Sequence, residues 1–181
     1  MNTMMTFSVP SEVLLHVGLR EGMKVGDFGA GSGHYSRAAA ATVGSTGKVY
    51  AIDIQEDVLT FLRLNVPERH QHIIETVWGD IEKPGGTSLR EGVLDVALIT
   101  NVLFQIENRF SFLKELRRVI KPGGRLLVVD WAGSYGFGPS PERIVPEHVA
   151  EDLFIGAGWH KQKAFRAGPH HYGLLFHAPA V

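Results

Sequence analysis

Lys24-Val25-Gly26-Asp27-Phe28-Gly29-Ala30-Gly31-Ser32-Gly33 decides how this chain is read. A short apolar run ends in an acid, breaks into three alternating glycines and passes into a helix beginning near His34. Glycine admits backbone conformations closed to residues with a Cβ, so main-chain N–H groups and a helix N-terminus can face a ligand at contact distance. The stretch therefore reads as a nucleotide-binding turn. The dinucleotide pattern G-x-G-x-x-G/A would put a small residue at position 34, where this chain has His34. Asp27 stands where a carboxylate repels a pyrophosphate and suits a positively charged amino group. A second acid, Asp53, closes the next apolar run twenty residues after Gly33, the spacing at which a carboxylate meets ribose hydroxyls. The site wants ribose without phosphate.

Around this stretch, strands and helices alternate. Helices are expected over residues 10–17, 35–43, 55–64, 109–120 and 146–155. Strands are expected over 24–27, 49–53, 72–78, 93–100, 125–130, 163–166 and 172–177. Residues 81–92 carry Pro84-Gly85-Gly86 without periodicity and read as a surface loop. In residues 109–120, Phe112, Leu113, Leu116, Val119 and Ile120 line one helical face, and Lys114, Glu115, Arg117 and Arg118 the other. Lys121-Pro122-Gly123-Gly124 suits a type II turn, and the unbroken Leu126-Leu127-Val128-Val129 suits a parallel strand buried on both faces. Such alternation predicts a doubly wound parallel α/β sheet in a single domain over 1–181. Asp27, Asp53, Asp80, Asn101 and Asp130 then gather at the carboxyl ends of the strands, where such sheets bind ligands.

Taken together, the glycine motif, Asp53, Gly79-Asp80, the strand ending at Thr100 and the Lys-Pro-Gly-Gly turn resemble the class I S-adenosylmethionine (SAM)-dependent methyltransferases over nearly the whole chain. The resemblance implies a Rossmann-like seven-stranded sheet, mostly parallel, closed by an antiparallel C-terminal hairpin. It implies SAM as cofactor and S-adenosylhomocysteine as co-product. By resemblance, Asp27 lies near the methionine amino group and Gly29, Gly31 and Gly33 form the turn, with Phe28 and Ala30 beside them. Asp53 takes the ribose, Ile54 lies against the adenine, Asp80 accepts from its exocyclic amine with Ile81 beside it in the cofactor site, and Asn101 reaches the amino acid end. Acids and amides at strand ends also commonly cap the next helix.

Methyl transfer to a positioned nucleophile needs a general base only when the acceptor carries a proton. Candidates are His34 beside the glycine turn and His170-His171 before the last strand, with Asp130 a further option that more often serves as a cap. His70-Gln71-His72 puts two imidazoles on one face of an extended segment, with no third ligand, so an exposed pair and no metal are expected. Trp131, Tyr135 and Phe137 either stack on an acceptor or simply pack their own loop.

The chain has no cysteine, which removes disulfides, thiolate metal sites and radical SAM chemistry, and sets aside the arsenite methyltransferases that share the Lys-Pro-Gly-Gly turn. Thr100-Asn101-Val102 lacks the aspartate of the metal-dependent catechol type, and Asn101-Val102-Leu103-Phe104 lacks the Asn/Asp-Pro-Pro-aromatic motif of amino-group methyltransferases. The remaining resemblance is to the small-molecule branch typified by ubiquinone/menaquinone-biosynthesis methyltransferases. With 44% hydrophobic and 20% charged residues, a net charge of −1 and no apolar run of membrane-spanning length, a soluble cytoplasmic enzyme is expected, and nucleic acid is a poor partner. Rival readings are an RNA or protein methyltransferase, a SAM-binding module without turnover, and an NAD-dependent oxidoreductase. The small N-terminal cap suits an open site or one completed by a partner chain in a homodimer.

Overall fold

The computed structural model describes residues 8–180. Its centre is a seven-stranded sheet built from β1 (Lys24–Phe28), β2 (Lys48–Asp53), β3 (Ile74–Trp78), β4 (Leu94–Thr100), β5 (Ile120–Trp131), β6 (His160–Arg166) and β7 (His171–His177). The order is β3-β2-β1-β4-β5-β7-β6. The first five strands run parallel, and β7 lies antiparallel between β5 and β6. Because β1 pairs with both β2 and β4, the chain leaves it in one direction and returns on its other side. That reversal opens a crevice at the carboxyl ends of β1 and β4.

Helices α1 (Pro10–Leu15), α2 (His34–Val43), α3 (Glu56–Leu64), α4 (Arg109–Val119) and α5 (Glu147–Gly156) cover the sheet. One core joins Val13, Val25, Ala39, Ala40 and Leu98, with α1 and α2 against the sheet. The other joins Phe28, Phe112, Leu116, Phe154 and Phe176 beneath α4 and α5. Ala39 and Ala40 are fully buried, so the small side chains of α2 let its backbone sit close to the strands. Strands β4 and β5 are buried on both faces, which is why they read as continuous apolar runs.

Several local expectations are corrected. β5 begins at Ile120, before the Lys-Pro-Gly-Gly turn, which is an excursion within the strand: Leu94 pairs with Ile120 but Val96 with Arg125. Gly123 has the positive φ of 70° that a type II turn requires at that position. β3 starts at Ile74, because His70 ends a short 3-10 turn and is buried, while His72 is exposed in the turn that follows. The two imidazoles do not share an extended face. β6 starts three residues early, at His160.

The largest correction concerns Glu115. It is fully buried, although the period of α4 places it opposite the apolar stripe. The loop following β3 folds over this flank of α4, and the Glu115 carboxylate accepts from Gly85 N at 2.6 Å, from Thr87 N at 3.2 Å and from the Thr87 hydroxyl. Arg118, one turn on, grips the same carboxylate through Nε at 2.8 Å and Nη2 at 2.6 Å, and donates from Nη1 to Leu89 O. Charge-assisted bonds of this density hold the Glu115 carboxyl down at about 2 against the cost of its burial.

Candidate active site

The three glycines of the turn have three different physical reasons to be there. All have positive φ, 75° at Gly29, 52° at Gly31 and 78° at Gly33. A Cβ on Gly29 would lie 2.6 Å from Val102 Cγ2, so this glycine lets β1 pass the β4–α4 connection. A Cβ on Gly33 would meet Leu62 at 2.7 Å, so this one seats the start of α2 against α3. A Cβ on Gly31 would meet nothing within 4 Å, because that position faces the open crevice. Gly33→Ala is therefore expected to cost roughly 2–4 kcal/mol of stability through overpacking and left-handed strain. Gly31→Ala is expected to cost only about 1–2 kcal/mol from strain, yet to weaken ligand binding by more than about tenfold. Thermal melts and ligand titrations of the two variants separate the roles.

The turn is held down by β2. Gly29 N and Ala30 N both donate to Ile52 O at 2.9 Å, and Gly31 N donates to Asp53 Oδ2 at 3.0 Å. Asp53 Oδ1 accepts from Gln55 N at 3.1 Å. Each carboxylate oxygen thus has one backbone partner and a free lone pair at the rim of the crevice.

The crevice encloses about 710 Å³, within the range of small-molecule sites. Its walls bring together Gly29, Ala30, Gly31, His34, Asp53, Ile54, Asp80, Ile81 and Asn101 of the expected site. Asp27, Phe28 and Gly33 do not line it. Phe28 is fully buried and belongs to the α4/α5 core. Val58, Glu82, Thr100, Gln105 and Ile106 also line it, with Ser8 and Tyr35 on one side joined by a 3.0 Å hydroxyl pair. Sequence reasoning missed these residues. Val58 on α3, Tyr35 on α2 and Thr100 at the end of β4 lie in expected elements, while Ser8, Glu82, Gln105 and Ile106 are brought in by connections whose course no local pattern reveals.

Asp27 lies beneath the turn, fully buried. Its Oδ2 accepts from the Ser36 hydroxyl at 2.6 Å, while Oδ1 has no partner among the described residues. Burial pushes its carboxyl up to about 6 against the Ser36 hydrogen bonds. Asn101 is held in the left-handed region, φ 57°, a conformation asparagine tolerates. Its backbone N–H donates to Val129 O, and its side-chain oxygen is a second buried acceptor without a partner among the described residues. The unmet Asn101 acceptor on the crevice wall matches a hydrogen-bond donor such as an ammonium group. Asp80 is committed in part to its own loop, with Oδ1 accepting from Glu82 N and Oδ2 paired with Lys83 at 3.2 Å. Glu82 in turn accepts from the backbone of Glu107 and Asn108, which ties that loop to the start of α4.

Asp130 acts as a cap. It is fully buried and accepts from Leu103 N at 2.9 Å and from Trp131 N at 2.8 Å, so it anchors the β4–α4 connection whose Val102 packs on Gly29. Burial raises its carboxyl to about 6. Of the three histidines, His34 opens α2 on the cavity wall, with its Nδ1 3.3 Å from Arg37. His170 and His171 do not line the cavity and instead pack with Trp131, Tyr135 and Phe137.

A parallel sheet with a glycine turn at its switch point and a ribose-spaced carboxylate defines a nucleoside-binding α/β protein. Comparison with known proteins takes this further. The methyltransferase-domain family matches residues 26–128. A ubiquinone/menaquinone biosynthesis C-methyltransferase of Paraburkholderia phymatum is 34% identical over 114 residues, which is 63% of this chain and 45% of that protein. A protein of the same description from Hydrogenovibrio crunogenus is 30% identical, over 73% of this chain and 53% of its own. The chain thus spans about half the length of the curated relatives it matches. The crystal structure of a SAM-dependent methyltransferase from Aquifex aeolicus superposes with a TM-score of 0.85 at 30% identity, covering 94% of this chain and 89% of that one. This chain belongs to the SAM-dependent methyltransferases. Among the described residues no helix is long and apolar enough to cross a membrane.

Proposed function

We propose that this protein transfers the sulfonium methyl of SAM to a small-molecule acceptor by in-line displacement, as a single methyltransferase domain acting in the cytoplasm. The observation that carries the reading is the chemistry of the crevice. A carboxylate with a free lone pair on each oxygen, Asp53, and the unmet side-chain acceptor of Asn101 both line it. In this reading Asp53 receives the ribose hydroxyls, Asn101 faces the amino acid end, and Asp27 lies beneath the turn near that end. The bare backbone of Gly31 admits the ligand, and Ile54, Ile81 and Asp80 surround the adenine. An electron pair of the acceptor, a lone pair or the π electrons of an electron-rich ring carbon, bonds to the methyl carbon as the carbon–sulfur bond breaks, leaving its electrons on sulfur and releasing S-adenosylhomocysteine; a ring carbon then gives up its proton to a base.

The protein's part is to bind both molecules, align them and exclude water, which can contribute several orders of magnitude in rate. His34, on the cavity wall, is the proton acceptor for an acceptor that carries one. The curated relatives are named for C-methylation in ubiquinone and menaquinone biosynthesis, which makes a quinone-type ring carbon the first acceptor to assay.

Calorimetric titration with SAM, S-adenosylhomocysteine and NAD in parallel tests the reading. Micromolar binding of the first two and none of NAD is expected. Binding of NAD alone would sink it in favour of an oxidoreductase.

A further inference from the structure

The two edges of the sheet are built differently. β6 closes one edge with Lys161, Lys163 and Arg166, all exposed, and its pairing with β7 slips between Lys161 and Lys163. Lysines and bulges are devices that keep an edge strand from pairing with another chain. β3 closes the other edge with Ile74-Glu75-Thr76-Val77-Trp78, which holds no lysine, arginine or proline and keeps an unbroken register with β2. Its one charge, Glu75, is paired with Lys48 at 3.2 Å.

The outer side of β3 carries unmet main chain. Val49 N donates to Ile73 O and Gly79 N to Asp53 O, so the odd-numbered residues of this strand bond to β2. By strand alternation the N–H and C=O groups of Ile74, Thr76 and Trp78 point away from the sheet. No group among the described residues bonds to them.

The same alternation puts the three side chains on one face. It is the face covered by α3, where Arg63 donates to the Thr76 hydroxyl from Nε at 3.2 Å and Nη2 at 3.1 Å. Trp78 projects there, 59% exposed although its indole N–H is tied to Ile54 O at 2.9 Å. Toward the start of the strand a groove of about 530 Å³ opens between Arg63, Val66, Gln71, Ile74, Glu75 and Thr76. The edge thus carries both a projection and a receptacle.

We propose that β3 is the seat of a two-fold dimer, in which a second copy of this chain adds its own β3 antiparallel. The register follows from the strand itself. With Thr76 on the axis, Ile74 stands opposite Trp78 of the second copy, and Thr76 opposite Thr76. Every outward N–H of the three residues then meets an outward C=O, whereas a shift of two residues either way leaves an end unmet. The same register brings each Trp78 ring to the groove beside Ile74 of the other copy. One surface supplies both halves of the contact, as a two-fold interface requires. Tryptophan is enriched among the residues that dominate such interfaces. A foreign strand would meet the same main-chain groups without this fit. Because the pairing is antiparallel, the carboxyl ends of the two sheets point in opposite directions, so each crevice stays open and the dimer does not rest on the methyl-transfer reading.

Sedimentation velocity of the full chain at rising concentration tests the proposal. A monomer–dimer equilibrium with a dissociation constant of roughly 10–100 µM is expected, as for a small interface. Thr76→Pro removes an N–H that points outward and leaves the bonds to β2 in place, so this variant is expected to be folded in a thermal melt yet monomeric throughout. Trp78→Ala is expected to weaken dimerisation by about tenfold or more. Lys163→Glu, on the opposite edge, is expected to leave it unchanged. Arg63 lies nearest the axis, so added salt is expected to tighten the dimer by screening its two copies from each other. A wild type that stays monomeric at the highest concentration overturns the proposal. So does a dimer that is indifferent to Thr76→Pro or Trp78→Ala, that dissociates in Lys163→Glu, or that salt breaks apart.

Discussion

Glu115→Ala is expected to destabilise the protein by roughly 2–4 kcal/mol, lowering the melting temperature by about 5–15 °C. The substitution leaves Gly85 N and Thr87 N without their acceptor and strips the half-buried Arg118 of its bidentate partner. The pH dependence carries a signature of its own. The Glu115 carboxyl lies at about 2 in the fold against an ordinary 4.5. Its contribution is therefore fully present above pH 4.5 and is lost as pH falls toward 2. The stability difference between wild type and Glu115→Gln, measured by chemical denaturation from pH 7 to pH 2.5, is expected to shrink through that window. A difference that stays constant would mean that the carboxylate charge contributes nothing. Affinity for SAM should change less than stability, because the 85–89 loop reaches the crevice only through its neighbours at Asp80 to Glu82.

Asp53→Ala is expected to act in the opposite proportion. Its two backbone partners, Gly31 N and Gln55 N, lie at the crevice rim and can turn to water, so the melting temperature should fall by only about 2–5 °C. With Asp53 as the proposed ribose ligand, affinity for SAM is expected to fall by about a hundredfold or more, because its charged hydrogen bonds would go together with the anchor of the glycine turn. Calorimetry beside a thermal melt decides the matter. A large loss of stability with unchanged affinity would make Asp53 a strut for the turn and remove it from the site.

Much of the architecture was legible before the structure. Alternating glycines, a strand-ending acid, buried apolar runs and the helical period of α4 are encoded by neighbours within a few residues, and the doubly wound sheet follows from their order, whereas its antiparallel close was implied by the family resemblance. The expected residues that the fold brings to the crevice sit in the glycine turn, at the start of α2 or just past the ends of β2, β3 and β4, where topology leaves little freedom. Gly33 is a different case. Its position in the motif is regular, yet its reason is Leu62 on another helix.

What the linear chain could not show is which polar side chains the fold would bury. Glu115 has the spacing of a solvent-facing residue and becomes buried because a loop thirty residues earlier lies over it. Asp27 reads as a ligand contact and sits beneath the turn, its exposure set by α2 and Ser36. His170 and His171 read as isolated candidates and become part of a ring cluster because β7 pairs with β5. Backbone conformation and strand burial are local properties, written in glycine spacing and hydrophobic period. Desolvation of a charge or an imidazole depends on whatever distant segment covers it, and only the tertiary structure decides that.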